Sequence, residues 1–140
     1  MAKIVIDASV LVKWFVQEID SPEALVLRDR HVNGEIELAA PILILYETLN
    51  ALKYTGLFSG KQLKEIAESI QNYGMSFFGL DGKVAELTLD AVVENDLTIY
   101  DGAYLGLAMS LQAEFITADR KLVARLEKNY AKGVKLLHSA

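Results

Sequence analysis

Four acidic residues of this sequence are placed where carboxylates can do chemistry. Asp7 and Asp119 follow short apolar runs that are typical of buried strands, whereas Glu47 and Asp101 lie in segments with helical patterns. Carboxylates that share one cleft repel each other unless cations neutralise them, and hard divalent cations prefer oxygen ligands. If the fold brings the four together, the chemistry they indicate is metal-assisted hydrolysis of a phosphodiester bond.

Each of these acids also has a purely structural interpretation. Asp101 and Asp119 precede predicted helices, where an aspartate commonly accepts backbone N–H bonds as an N-cap. Asp7 could likewise cap the helix that follows it, although the neighbouring Ser9 is another candidate N-cap for the same helix. Glu47 is harder to explain in this way, because its neighbours are mostly apolar and burial of an unpaired carboxylate is costly. A salt bridge is the structural alternative for Glu47.

The composition limits the choice of metal. The sequence has no cysteine, which excludes disulfides, thiolate catalysis and cysteine-based metal centres. His31 and His138 stand alone, so nothing in the spacing favours zinc. We therefore expect Mg²⁺ or Mn²⁺ as the cofactor.

The chain also lacks the patterns that target a protein to a membrane or for export. Its N-terminus becomes acidic before an apolar stretch reaches the length of a signal peptide, and no apolar run is long enough to span a bilayer. We therefore expect a cytoplasmic protein that makes no membrane contact.

The net charge of −5 argues against a nucleic-acid binder driven by electrostatics alone. The four acids account for most of this charge, and positive charge is clustered after Asp119. Arg120, Lys121 and Arg125 are therefore candidates for substrate binding. An ordinary solvated helix face explains the same residues equally well.

The predicted elements alternate between strands and helices. We predict strands at 4–6, 36–39, 76–78, 115–117 and 134–137. We predict helices at 10–16, from 21 to before 34, from 41 to before 56, and at 59–72, 82–94, 102–111 and 120–130. This alternation predicts an α/β fold, a three-layer α/β/α sandwich with a central parallel sheet, in a single domain over residues 1–140. Clefts of such folds lie at the carboxyl ends of the strands, where Asp7 and Asp119 are predicted.

Several motifs occur together in a specific order. Asp7-Ala8-Ser9 follows the first strand, Glu47 lies in an apolar helix, Asp101 opens the segment Asp101-Gly102-Ala103-Tyr104, and Thr117-Ala118-Asp119 ends a later strand. With these motifs in this order, the whole chain resembles PIN-domain proteins. Its compact size is similar to that of the VapC toxins of toxin–antitoxin pairs.

The resemblance implies a Mg²⁺- or Mn²⁺-dependent endoribonuclease that cleaves RNA. Its catalytic, metal-binding quartet would consist of Asp7, Glu47, Asp101 and Asp119. The hydroxyls of Ser9 and Thr117 would assist this site by hydrogen bonding. It also implies a homodimer that a cognate antitoxin holds inactive. Apolar helices near Trp14-Phe15 and from Leu43 to Leu52 are the candidate interfaces. Some relatives carry a further acid where Arg120 and Lys121 stand here, which leaves the number of metal ions open.

Two other functions compete with this interpretation. Asp7 could be the phosphorylated nucleophile of a phosphotransfer or phosphatase domain, but a dehalogenase-type site needs a second acid where Ser9 stands, and the acidic pair of a receiver domain is missing. The second alternative is a non-catalytic PIN-like interaction module that assembles through its apolar helices.

Overall fold

A computed structural model describes residues 1–139 as five parallel strands with helices around them. The sheet order is β3-β2-β1-β4-β5. The strands are β1 (Ala2–Ile6), β2 (Ile36–Pro41), β3 (Ser76–Phe78), β4 (Glu114–Thr117) and β5 (Val134–Leu136). Because parallel strands need crossover connections, helices flank the sheet and cover it. The predicted α/β sandwich with a central parallel sheet is confirmed.

Eight α-helices connect and follow the strands within the described residues. They are α1 (Ala8–Leu11), α2 (Ser21–Val32), α3 (Leu43–Tyr54), α4 (Gly60–Asn72), α5 (Gly82–Asn95), α6 (Ile99–Leu111), α7 (Arg120–Ala124) and α8 (Lys128–Ala131). Short 3₁₀ turns cover Val12–Trp14 and Leu137–Ser139. Within residues 1–139, none of these helices combines the length and the hydropathy that a membrane span needs.

The central strand β1 sets the position of the cleft. On one side β1 pairs in parallel with β2, and on the other with β4, where Ile6 lies opposite Ile116. The strand order therefore reverses between β1 and β4. This is the place where open α/β sheets form a crevice at the carboxyl ends of their strands. The residues that follow Ile6 and Ile116 therefore lie at that crevice.

The first helix differs from its prediction in position and in its contacts. The α-helical part is only α1, and it begins at Ala8, so Ser9 lies inside the helix and is not its cap. The resemblance made the apolar helix near Trp14-Phe15 a candidate interface. Val10, Leu11 and Trp14 lie in the chain's own core. Trp14 is therefore not available as an interface residue, whereas the Leu43 to Leu52 candidate keeps Tyr46, which is 73% exposed.

Two later helices also differ from their predicted limits. Helix α6 begins at Ile99, three residues before the predicted start, because the Thr98 hydroxyl accepts the backbone N–H of Asp101 and caps the helix. The predicted helix over 120–130 is two short helices, α7 and α8. The break at 125–127 is held by the buried Asn95, whose side-chain oxygen accepts the backbone N–H of Glu127 at 2.8 Å.

Helices α5 and α6 approach each other closely because two glycines of α6 face α5. A Cβ atom on Gly106 would lie 2.0 Å from the Thr88 side-chain oxygen and 2.6 Å from the Thr88 backbone. A Cβ on Gly102 would lie 2.4 Å from Val92. The spacing of four residues places both glycines on one face of the helix. The resulting contact fixes α6, the helix that carries Asp101, against α5.

We predict that Gly106→Ala destabilises the protein by about 3 kcal/mol or more, because backbone atoms of Thr88 must move to admit the methyl group. Gly60→Ala is the matched control, since Gly60 opens α4 and a methyl group added there would have nothing within 4 Å. That change should alter the free energy of unfolding by only about 0.5 kcal/mol. Chemical denaturation of the three proteins measures both values, and equal effects would contradict the close packing of α5 on α6.

Candidate active site

The Asp7 carboxylate is buried at the carboxyl end of β1 with 7% of its surface exposed. Its two oxygens accept different hydroxyls. Ser9 Oγ donates to Oδ1 at 2.5 Å, and Thr117 Oγ1 donates to Oδ2 at 2.5 Å. Burial raises the pKa of Asp7 to about 6 against the lowering effect of these hydrogen bonds, and the charge of Asp119 adds to the rise. The carboxyl group is therefore held in a fixed orientation and is costly to ionise.

Ser9 and Thr117 form a network that joins the ends of β1 and β4. Ser9 Oγ accepts the backbone N–H of Ala118 at 2.9 Å, and Thr117 Oγ1 accepts the backbone N–H of Asp119 at 3.0 Å. Each hydroxyl thus accepts from the chain after β4 and donates to Asp7. This places both residues beside the acid that the sequence resemblance predicted they would assist.

Glu47 lies on α3, half-buried, and one of its oxygens has a tyrosine partner. Tyr104 of α6 donates its hydroxyl to Glu47 Oε1 at 2.5 Å. Burial raises the pKa of Glu47 in opposition to this hydrogen bond, and the charge of Asp101 raises it further. No described basic residue lies within salt-bridge distance of Glu47. The structural alternative, a salt bridge to Glu47, is therefore not found among the described residues.

Asp101 occupies the third position of α6, with its side chain half-buried. Burial raises its pKa, the charge of Asp119 adds to the rise, and the charge of Arg125 opposes it. The interpretation of Asp101 as an N-cap is wrong, because Thr98 provides the cap. A side chain in the first turn of a helix lies in the positive field of the helix dipole, which favours a carboxylate there.

Asp119 is the N-cap of α7, as its structural interpretation predicted. Its Oδ1 accepts the backbone N–H of Leu122 at 3.1 Å. Capping and a role in a cleft are compatible, because a carboxylate has a second oxygen and several lone pairs. The charge of Asp119 acts on both Asp7 and Asp101.

The four acids are thus electrostatically linked at the crevice between β1 and β4. The charge of Asp119 raises the pKa of Asp7 and of Asp101, and the charge of Asp101 raises the pKa of Glu47. Within residues 1–139, no three acidic or histidine side chains already converge into a metal-binding group. All four candidate metal donors are nevertheless carboxylates, and the raised pKa values of Asp7, Glu47 and Asp101 show that their surroundings oppose ionisation. A divalent cation that prefers oxygen fits such a set, because it supplies the missing positive charge.

The three basic candidates differ in their relation to the acids. Arg125 is near enough to lower the pKa of Asp101, and its guanidinium donates to the backbone oxygen of Asp96. Arg120 is exposed and lies 3.5 Å from a ring nitrogen of His138. Lys121 is exposed. Arg125 is thus the candidate whose charge acts on the acids, and binding of a substrate by any of the three remains a prediction.

Tyr104 is the site residue that sequence reasoning missed. It is 3% exposed, and its ring stacks on Phe115 with centroids 5.9 Å apart. Burial and the neighbouring Glu47 carboxylate raise the pKa of Tyr104 far above its usual range, so its hydroxyl keeps its proton and acts as a donor. Two signals in the sequence could have identified it. A tyrosine in an otherwise apolar run needs a polar partner, and a spacing of three residues places it on the face of Asp101.

The raised pKa of Asp7 predicts a specific dependence of stability on pH. The folded protein holds this proton more tightly than the unfolded chain, whose aspartate pKa is near 3.8. Stability is therefore lost as the pH rises from about 4 to about 6, by up to about 3 kcal/mol at roughly 1.4 kcal/mol per pKa unit. Asp7→Asn removes this contribution.

In chelator-treated buffer, the difference in unfolding free energy between Asp7→Asn and the wild type should therefore move in favour of the variant over this pH range. Denaturant titrations at several pH values measure this difference. A difference that stays constant between about pH 4 and about pH 7.5 would show that ionisation of Asp7 does not oppose folding.

Comparison with known proteins identifies the family of this chain. The family model of the PIN domain matches residues 4–129. Ribonuclease VapC3 of Pyrobaculum aerophilum is 30% identical over 130 residues, which cover 88% of this chain and 94% of the relative. A crystal structure from the same organism superimposes with a TM-score of 0.67 at 24% identity, covering 99% of this chain and 85% of the other. A toxin–antitoxin complex from Klebsiella pneumoniae gives a TM-score of 0.69 at 17% identity, covering 96% and 97%. The chain belongs to the PIN-domain family.

Proposed function

We propose that the protein is a Mg²⁺- or Mn²⁺-dependent endoribonuclease, the toxin of a VapBC-type toxin–antitoxin pair. The observation that carries the proposal is the buried Asp7 carboxylate, held at both oxygens by Ser9 and Thr117 at the crevice. Burial, and secondarily the charge of a neighbouring acid, raises the pKa of Asp7, Asp101 and Glu47. Such perturbed carboxylates in a cleft are typical of functional sites. The similarity to Ribonuclease VapC3 supports RNA as the substrate.

In this proposal Asp7, Glu47, Asp101 and Asp119 hold the metal. When bound, Mg²⁺ or Mn²⁺ supplies positive charge and Lewis acidity to the phosphodiester group. The chain's own residues provide orientation. Ser9 and Thr117 fix both oxygens of Asp7, and the N–H of Leu122 fixes one oxygen of Asp119. These contacts hold Asp7 and Asp119 in fixed orientations before a substrate arrives.

Arg120, Lys121 and Arg125 would contact the RNA backbone beside these acids. All three belong to the segment that directly follows Asp119. Positive charge at this place would offset the repulsion between the acidic cleft and the phosphates of the substrate. Arg125 has the strongest support, since its charge already acts on Asp101.

The proposal predicts that Asp7→Asn abolishes Mg²⁺- or Mn²⁺-dependent cleavage of single-stranded RNA while the protein stays folded. The amide carries no negative charge for the metal, and it still accepts one hydroxyl. Asp90→Asn is the matched control, because Asp90 lies exposed on α5, and it should keep wild-type activity.

Gel analysis of a fluorescent oligonucleotide, with and without chelator, measures the cleavage. Undiminished cleavage by Asp7→Asn, or cleavage by the wild type that survives chelation, would contradict the assignment. Release of inorganic phosphate from a phosphomonoester by the wild type, without RNA cleavage, would favour the phosphatase alternative. A protein that binds metal and cleaves neither substrate would favour the interaction module.

We also propose that the protein forms a homodimer and binds an antitoxin. Support for the antitoxin comes from the similarity to the Klebsiella pneumoniae toxin–antitoxin complex. Support for the dimer is a set of exposed apolar side chains that border a cavity of about 220 Å³ near the start of α3. We call this set the apolar rim, and it consists of Ile42, Leu80, Ile99 and Tyr100. Contiguous apolar surface of this kind is typical of protein interfaces.

If the apolar rim mediates dimerisation, Leu80→Arg should convert the dimer to a monomer, because an arginine would bring an unpaired charge into the interface. Val93→Arg is the matched control. Val93 is 80% exposed on α5 and does not line the cavity, so this variant should remain dimeric. Sedimentation velocity distinguishes the two states. A monomeric wild type, or a Leu80→Arg variant that stays dimeric, would contradict this surface as the dimer interface.

A further inference from the structure

The hydroxyl of Tyr104 joins two of the elements that carry the acids. It belongs to α6, which also carries Asp101, and it donates to Glu47 Oε1 on α3 at 2.5 Å. One hydroxyl group therefore links the helices that carry Asp101 and Glu47.

The position of the Tyr104 ring is itself strongly restrained. The side chain is 3% exposed, and the ring lies nearly parallel to that of the fully buried Phe115, with an interplanar angle of 8°. Phe115 belongs to β4, the strand that leads to Thr117. The hydroxyl is thus held by the core and not by solvent, as a group that orients a ligand must be.

Glu47 depends on this contact for its orientation. Tyr104 is the donor to Glu47 among the described hydrogen bonds, and the contact uses Oε1 alone. Glu47 is half-buried on a helix, and its neighbour Tyr46 is 73% exposed. Without the hydroxyl, the long glutamate side chain could turn toward solvent. With it, Oε1 is held and Oε2 has no hydrogen-bond partner among the described contacts, while the charge of Asp101 acts on the carboxyl group.

We propose that Tyr104 is a positioning residue that orients Glu47 for metal binding by holding Oε1 and leaving Oε2 free for the cation. This inference rests on the proposed metal-dependent function. Groups that hydrogen-bond to metal ligands from outside fix the orientation of the ligand, and their loss typically weakens metal affinity by about 10- to 100-fold.

The test measures binding of Mn²⁺ directly, from the electron paramagnetic resonance signal of the free ion and from calorimetry. Tyr104→Phe keeps the stacked ring and removes only the hydroxyl, and it should bind Mn²⁺ about ten-fold or more weakly than the wild type. Tyr130→Phe is the matched control. Tyr130 is also buried and donates to a glutamate, Glu94, which lies outside the four acids. Its variant should bind Mn²⁺ within about two-fold of the wild type.

Glu47→Gln separates the possible failures. If Tyr104 acts through Glu47, the double variant Tyr104→Phe/Glu47→Gln should bind Mn²⁺ no more weakly than Glu47→Gln alone. Wild-type affinity in Tyr104→Phe together with weakened binding in Glu47→Gln would overturn the role of Tyr104 and leave the metal site intact. Wild-type affinity in Glu47→Gln would overturn the proposed metal site and the role of Tyr104 with it.

A second measurement does not depend on how Tyr104→Phe folds. In wild-type protein labelled with ¹³C at the tyrosine hydroxyl carbon, titration with Mg²⁺ should shift the Tyr104 resonance, because the charge of its acceptor is neutralised. The Tyr130 resonance should not move. A Tyr104 resonance that is unchanged at saturating Mg²⁺ would overturn the proposal.

Discussion

The need to satisfy a carboxylate inside the protein is the constraint on which this structure depends. Asp7 directly follows the central strand and is almost fully buried, so each of its oxygens requires a donor. Ser9 supplies one from α1 and Thr117 supplies the other from β4. Both hydroxyls also accept backbone N–H groups of the chain after β4. A single buried charge thus joins two neighbouring strands at the place where the strand order reverses.

The four acids are not equivalent, and the differences follow from their elements. Asp7 is held at both oxygens, whereas Asp119 and Glu47 are each held at one, by a helix N–H and by a tyrosine hydroxyl. Asp101 differs again, because the positive charge of Arg125 acts on it. In the proposed metal site, the rigidly held Asp7 would define where a cation sits, and the acids with a free oxygen would adjust to it. Hydrogen bonds made outside the cleft would therefore set this division of roles.

The sequence predicted the strands, most helix limits and the location of the acids, because these depend on local periodicity and on the geometry of parallel sheets. Glu47 was identified since a carboxylate among apolar neighbours requires an explanation. Three features could not be predicted. These are the backbone N–H of Ala118 as a partner of Ser9, the choice of Glu47 as the acceptor of the Tyr104 hydroxyl, and the break between α7 and α8 at Asn95. All three depend on partners distant in the chain. Hydroxyl and amide groups have many local partners available, so local sequence does not determine which partner they select.

The contact between α5 and α6 has a consequence for how relatives of this protein can differ. Gly106 and Thr88 share one small volume, and the Thr88 hydroxyl in it has no hydrogen-bond partner among the described residues. A larger side chain at either position requires a smaller one at the other, or a wider separation of the two helices. Wider separation would displace Asp101 and Tyr104, which α6 carries. Positions 88 and 106 should therefore vary together across the family as a pair of complementary sizes.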